Sequence, residues 1–106
     1  MPPFIQPSYA HNEYPQAIYA SVFMDTTQMR DGYTVLGIHD DLSRIHLIYR
    51  FKEITPGAVC QAFQQFWIQR YGPPSVITCD RNTIFESSLF LDFCQQSGSH
   101  IEYYDD

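Results

Sequence analysis

The chain has 106 residues, of which 44% are hydrophobic and 16% aromatic, enough apolar material for one compact domain but not for two. Twelve acidic against six basic residues give a net charge of -6 and a pI near 4.9. This balance argues against strong autonomous binding to nucleic acid, which draws its affinity from clustered cations. No run approaches the roughly 18 apolar residues of a membrane span, and the start of the chain lacks the basic and hydrophobic regions of a signal peptide. A soluble, intracellular protein of the nucleus or cytoplasm, without a membrane partner, is expected. Cys60, Cys79 and Cys94 have no CxxC spacing and lie in apolar stretches, so they read as reduced thiols packed like small hydrophobes.

In chain order, residues 1–16 hold Pro2, Pro3, Pro7 and Pro15 among scattered aromatics, which predicts an extended arm or linker ahead of a domain over 17–106. From Ala17 to Met29 β-branched and aromatic residues predict a strand. Asp31-Gly32 follows with the positive backbone angles of a tight hairpin, and Tyr33 to His39 returns. Asp40 to Ser43 reads as a turn into a third strand, where Ile45, Leu47, Tyr49 and Phe51 alternate with His46, Ile48 and Arg50. Thr55 caps a helix with Pro56 in its first turn; Val59, Ala62, Phe63, Phe66, Trp67 and Arg70 recur at helical spacing until Gly72. Val76 to Thr78 suit a short buried strand, with Asp80 just beyond its carboxyl end. Ser87 or Ser88 caps a second helix that closes at Gly98, and His100 to Tyr104 form a fifth strand. The order βββαβαβ predicts an α/β fold: a mixed sheet with helical cover.

Asp25 interrupts the apolar run Ser21 to Met24, and an unpaired carboxylate buried on a central strand would be costly. Asp80 stands at the mouth of another strand, where open sheets present ligands and catalytic groups. On neighbouring strands the two carboxylates could bracket one divalent cation, as metal-assisted phosphoryl transfer requires. An aspartate at a strand end is nevertheless more often a turn or cap residue.

The surrounding words shift that balance. Val22-Phe23-Met24-Asp25-Thr26-Thr27, His39-Asp40-Asp41-Leu42-Ser43-Arg44, Gln69-Arg70-Tyr71-Gly72-Pro73-Pro74 and Ile77-Thr78-Cys79-Asp80-Arg81-Asn82-Thr83-Ile84-Phe85-Glu86-Ser87 occur in the order seen in integrase cores. Over residues 19–104 the chain resembles the retroviral and LTR-retrotransposon integrase catalytic core and the related DDE transposases. The resemblance implies an RNase H-like fold with a five-stranded mixed sheet in the order 3-2-1-4-5. It also implies Mg²⁺- or Mn²⁺-dependent DNA cleavage and strand transfer, with Asp25 and Asp80 as catalytic residues and metal ligands. Asn82 stands where many members have glycine, a position where tolerance of left-handed geometry matters, and Ile84 replaces an often acidic residue.

The family's third carboxylate lies roughly 35 residues beyond the second aspartate and completes a two-metal site, whereas this chain ends at Asp106, short of that distance. Glu86 and Asp92 read as helix-start residues and Glu102, Asp105 and Asp106 as solvated charges. Trp67 reads as core, and His39 and His46 as structural histidines rather than ligands. The expectation is therefore a C-terminally shortened, integrase-derived domain, catalytically incomplete and acting as a binding or oligomerisation module. The alternative is a Mg²⁺/Mn²⁺-dependent strand-transfer core whose third carboxylate comes from a missing segment or a partner. A homodimer or a protein partner is expected, through the first helix near Phe63, Phe66 and Trp67 or through an uncovered sheet face. A fold-back of the arm through Phe4, Ile5, Tyr9 and Tyr14 competes with it. DNA is a partner only if the ancestral function is retained.

Overall fold

A computed structural model describes residues 20–40 and 42–104; the proline-rich segment expected to form an arm lies outside them. In β1 (Ser21–Gln28) the two-residue period of a strand sends Val22 and Met24 to a fully buried face and Phe23 and Asp25 to the other. β1 pairs antiparallel with β2 (Thr34–Asp40), which sets Met24 opposite Ile38 and Asp25 opposite Gly37.

The hairpin between them differs from the tight turn predicted. Gly32 takes a positive φ of 90° but Asp31 does not. The Met29 carbonyl accepts from the Gly32 N–H at 3.2 Å, and the Met29 N–H donates to the Tyr33 carbonyl at 2.8 Å, which makes a longer loop closed by a glycine bulge. Asp31 gains more as an acceptor, with Oδ1 taking the Tyr33 N–H at 3.0 Å and Oδ2 taking Arg50 at 2.6 Å. The second connection needs a left-handed residue too, and Arg44 supplies it at φ 67°. Its N–H closes onto the Asp40 carbonyl at 3.0 Å, while the buried Asp40 carboxylate accepts the Ser43 N–H at 2.6 Å. β3 (His46–Phe51) then pairs antiparallel with β2.

The Thr55 hydroxyl caps α1 (Pro56–Phe63) by accepting the Ala58 N–H at 3.1 Å. One regular helix was predicted from here to Gly72. Instead α1 passes into a wider π-helical turn over Gln64–Ile68 before α2 (Gln69–Tyr71), and Gly72 ends the rod at φ 88°. Within this rod Phe63 and Trp67 are both fully buried, while Phe66 emerges to stack on Tyr49 of β3 at 4.8 Å. The rod delivers the chain to β4 (Val76–Cys79), parallel to β1 with Ser21 opposite Val76 and Met24 opposite Cys79.

The second predicted helix is α3 (Ser88–Ser97); the Ser87 hydroxyl accepts the Phe90 N–H at 3.2 Å, and left-handed Gly98 returns the chain. β5 (His100–Tyr103) runs parallel to β4 and completes the sheet order β3-β2-β1-β4-β5. This is the mixed five-stranded order implied by the resemblance. The core joins Val22, Met24, Leu36, Ile38, Ile77 and Cys79 of the sheet to Val59, Phe63, Trp67, Phe90 and Cys94 of the helices. Each large apolar side chain buried there contributes about 1.5–3 kcal/mol. All three cysteines are free and buried. Helices α1 and α3 thus share one face of the sheet, and the opposite face carries Phe23, Asp25, Gly37 and His39.

Candidate metal centre

Asp25 and Asp80 directly follow the last paired residues of two adjacent parallel strands, since Met24 faces Cys79. They continue one register row, on strands about 4.8 Å apart. Asp25 lies on the face that carries no helix among the described residues and is only half-buried, which lowers the desolvation cost of a carboxylate in a central strand. Space for it comes from β2: a β-carbon added at Gly37 would stand 2.8 Å from Asp25 Oδ1 and 3.4 Å from His46 Nε2. Glycine within a strand often marks such a close approach.

Asp80 is also half-buried, and the Tyr104 side chain lies close to it. The backbone N–H of Tyr104 donates to the Cys79 carbonyl at 3.1 Å, so the tyrosine is tied to the end of the strand that presents Asp80. Burial pushes the Tyr104 hydroxyl up to about 12, reinforced by the nearby Asp80 and by the negative charge of Asp25. The hydroxyl therefore lies in the field of both carboxylates.

The loop after Asp80 is fixed by a residue whose role the sequence did not disclose. Asn82 Oδ1 accepts the N–H groups of Ile84 at 2.9 Å and Phe85 at 3.0 Å, and its amide reaches Thr26 Oγ1 at 3.4 Å. Asn82 does not adopt the left-handed geometry considered for it; its side chain caps the turn. Phe85, fully buried against Phe90, anchors the same loop, and its carbonyl accepts the Tyr103 hydroxyl at 2.6 Å.

The other acids considered are placed elsewhere where they fall among the described residues. Glu86 pairs with Arg81 at 3.1 Å, and Glu102 stands 3.8 Å from His100. Asp92 lies past the first turn of α3, which holds no acidic residue, and borders an open groove of about 510 Å³ with Cys60, Leu89 and Phe93. Neither Glu86 nor Asp92 is therefore a first-turn residue, contrary to expectation. Asp105 and Asp106 fall outside the described residues. His39 stacks on Phe23 at 5.1 Å and meets His46 edge-on at 5.3 Å, a packing role. Burial raises the Cys79 thiol to about 12, with Asp80 and Glu86 adding to the effect, so it is held as a neutral thiol beside the site. Among the described residues no three His, Cys, Asp or Glu side chains gather as a metal cluster, and no helix is long and apolar enough to cross a membrane.

No protein-family model matches the chain, and no curated protein matches it. Solved structures do. A chain of the simian T-cell lymphotropic virus intasome, in complex with PP2A regulatory subunit B56 gamma, has a TM-score of 0.74 at 18% identity, covering 89% of this chain and 34% of that one. The HTLV-2 integrase catalytic core domain, in complex with magnesium and in dimeric form, has a TM-score of 0.72 at 22% identity, covering 81% and 61% respectively. The BIV integrase catalytic core domain gives 0.70 at 19%, covering 81% and 55%. The fold is that of a retroviral integrase catalytic core, an RNase H-like sheet with two covering helices. The chain spans less than two thirds of the length of each of these relatives.

Proposed function

We propose that this chain is an integrase-type core module that binds a divalent cation through Asp25 and Asp80 and works as a binding or assembly unit, catalytically incomplete by itself. The observation that supports this most is the common register row of Asp25, within β1, and Asp80, just beyond β4, each directly after the last pair of that parallel ladder. Their donor set fits Mg²⁺ or Mn²⁺, because hard cations take carboxylate oxygens and keep several waters or phosphate oxygens. Both side chains are open enough to leave room for them. When bound, such a cation stabilises charge on a phosphoryl group and lowers the pKa of a coordinated water. The protein's own contribution is positional: Gly37 leaves room for Asp25, and Asn82 ties the Asp80 loop to Thr26.

Incompleteness is supported by where the nearby acids go, since Glu86 is engaged with Arg81 and Asp92 faces the groove beside α3. The net charge of -6 also works against recruiting a polyanion. Assembly with a second copy or another protein is supported by the dimeric form and the protein-bound intasome among its structural relatives. Phe63 and Trp67 are spent in the core, so the first helix offers a partner Phe66 alone of the three aromatics considered.

The second reading is a strand-transfer or endonuclease core that obtains its third carboxylate from another segment or subunit. It is favoured by the magnesium-bound HTLV-2 core that shares this fold. Incubation with DNA and Mg²⁺ or Mn²⁺ separates the two. The preferred reading gives no nicking or joining above an Asp25→Asn, Asp80→Asn control, whereas metal-dependent turnover lost in each single variant establishes the enzyme.

A further inference from the structure

Two polar side chains from strands that are not neighbours meet on the sheet face that carries no helix among the described residues. Asp25 of β1 stands opposite Gly37 of β2, and His46 opens β3 opposite His39. Gly37 has no side chain, and both groups lean into the space this leaves. A β-carbon there would stand 2.8 Å from Asp25 Oδ1 and 3.4 Å from His46 Nε2. The carboxylate oxygen and the ring nitrogen therefore flank one small volume, separated by no more than the sum of those two lengths. No ion pair closes the gap between these two described residues. The imidazole is steadied at its side, since its ring meets His39 edge-on at 5.3 Å and His39 stacks on Phe23 at 5.1 Å.

We infer that His46 is a nitrogen donor to the cation held at Asp25 and that it sets which cations the site prefers. The inference rests on the cation-binding reading given above and concerns its Asp25 half. Among the described residues no three His, Cys, Asp or Glu side chains gather, so water fills much of the remaining shell. Bonds from a first-row cation to imidazole nitrogen and to carboxylate oxygen are about 2.0–2.2 Å long. Small rotations of the two side chains reach that geometry over Gly37, and neither is locked, because Asp25 is half-buried and His46 exposed. Carboxylate and water ligands suit Mg²⁺ and Mn²⁺, whereas imidazole suits borderline ions such as Co²⁺ and Zn²⁺. The added nitrogen thus tilts the site toward the borderline ions, a role for His46 beyond the structural one expected from the sequence.

His46→Ala removes the nitrogen; His100→Ala, on the edge strand at the other side of the sheet, makes the same chemical change as a control. Two readouts on the full chain decide the matter: the Co²⁺ and Mn²⁺ dissociation constants, and the paramagnetically shifted ring-proton signals of a Co²⁺-bound histidine by NMR. His46→Ala is expected to weaken Co²⁺ binding about 10- to 100-fold, the scale known for partners of a metal site, and to remove the shifted ring signals. Its Mn²⁺ binding should stay within about twofold of the parent chain, because that ion is held by oxygen, and His100→Ala should match the parent throughout. A histidine that only supports the fold would move both ions alike or neither, so equal effects on Co²⁺ and Mn²⁺ overturn the donor role. Co²⁺ binding that Asp25→Asn abolishes and His46→Ala keeps overturns it too, and leaves the cation reading standing. If the parent chain binds Co²⁺ no better than Asp25→Asn, both fall.

Discussion

The carboxylate of Asp25 lies over the bare α-carbon of Gly37, where a β-carbon would stand 2.8 Å from Oδ1. Real β-carbons do not sit that close, so Gly37→Ala must push the carboxylate aside. The displaced group is the end of a flexible side chain, and alanine in a strand recovers roughly 0.5–1 kcal/mol relative to glycine. Gly37→Ala is therefore expected to keep its urea stability within about 1 kcal/mol of the parent while losing affinity for Mn²⁺. Gly37→Val adds bulk that the site cannot absorb and should cost about 1–3 kcal/mol. Urea unfolding beside a Mn²⁺ titration checks both, and an alanine variant with undiminished affinity contradicts the cradle.

Asn82 makes three contacts with one side chain, and they can be separated. Asn82→Ala leaves the Ile84 and Phe85 N–H groups without their acceptor and should cost about 1–2 kcal/mol. Asn82→Asp keeps the acceptor and replaces the amide reaching Thr26, a longer contact at 3.4 Å, with a charged carboxylate oxygen that the Thr26 hydroxyl can donate to, so its cost should stay below about 1 kcal/mol. Equal losses in the two variants by urea unfolding would contradict the capping role.

The sheet was legible because its signals are local. The β-branched and aromatic run of β1, the alternation in β3, the Thr55 and Ser87 caps, and the stops at Gly72 and Gly98 all appear where the sequence places them. Asp25 and Asp80 stood out because each is a charge set against an apolar strand, and the ordered motifs joined them into one fold. The π-helical turn left no trace in the pattern, since Phe63 and Trp67 stay on one side in either helix type. The place of Tyr104 was hidden for a different reason: its N–H meets the Cys79 carbonyl through the register of β4 against β5, which no single strand encodes. Gly37 carried a usable signal, a glycine inside a strand pattern, whose meaning depended on knowing that Asp25 lies across from it.

The buried thiols make stability depend on alkaline pH. In the unfolded chain they ionise near the ordinary value of 9.0, whereas burial first, and neighbouring charge second, holds Cys79 and Cys94 protonated to about 12. The folded state keeps protons that the unfolded state loses in that window. Their stabilising contribution is whole below pH 9.0 and declines as pH rises toward about 12. Urea midpoints measured across that range should fall steadily, and the thiols should resist alkylation near neutral pH until the chain unfolds. A flat profile would contradict the burial.

Two aromatics one residue apart on the same helical rod should differ sharply. Trp67 is fully buried, and Trp67→Ala should cost about 3–5 kcal/mol, a large part of the roughly 5–15 kcal/mol that holds a domain together. Phe66 is partly exposed and stacks on Tyr49, so Phe66→Ala should cost no more than about 1.5 kcal/mol. Comparable losses by thermal or urea unfolding would mean that the rod is rotated from the orientation described.

The claim that Asp25 and Asp80 together form a cation site is tested most directly by locating a bound Mn²⁺ through its paramagnetic broadening of backbone amide signals. In the parent chain, substoichiometric Mn²⁺ should broaden Thr26, Gly37, Arg81 and Tyr104 first, and Asp25→Asn or Asp80→Asn should each abolish that pattern. Broadening centred on another acidic patch, or unchanged in either variant, would contradict the site.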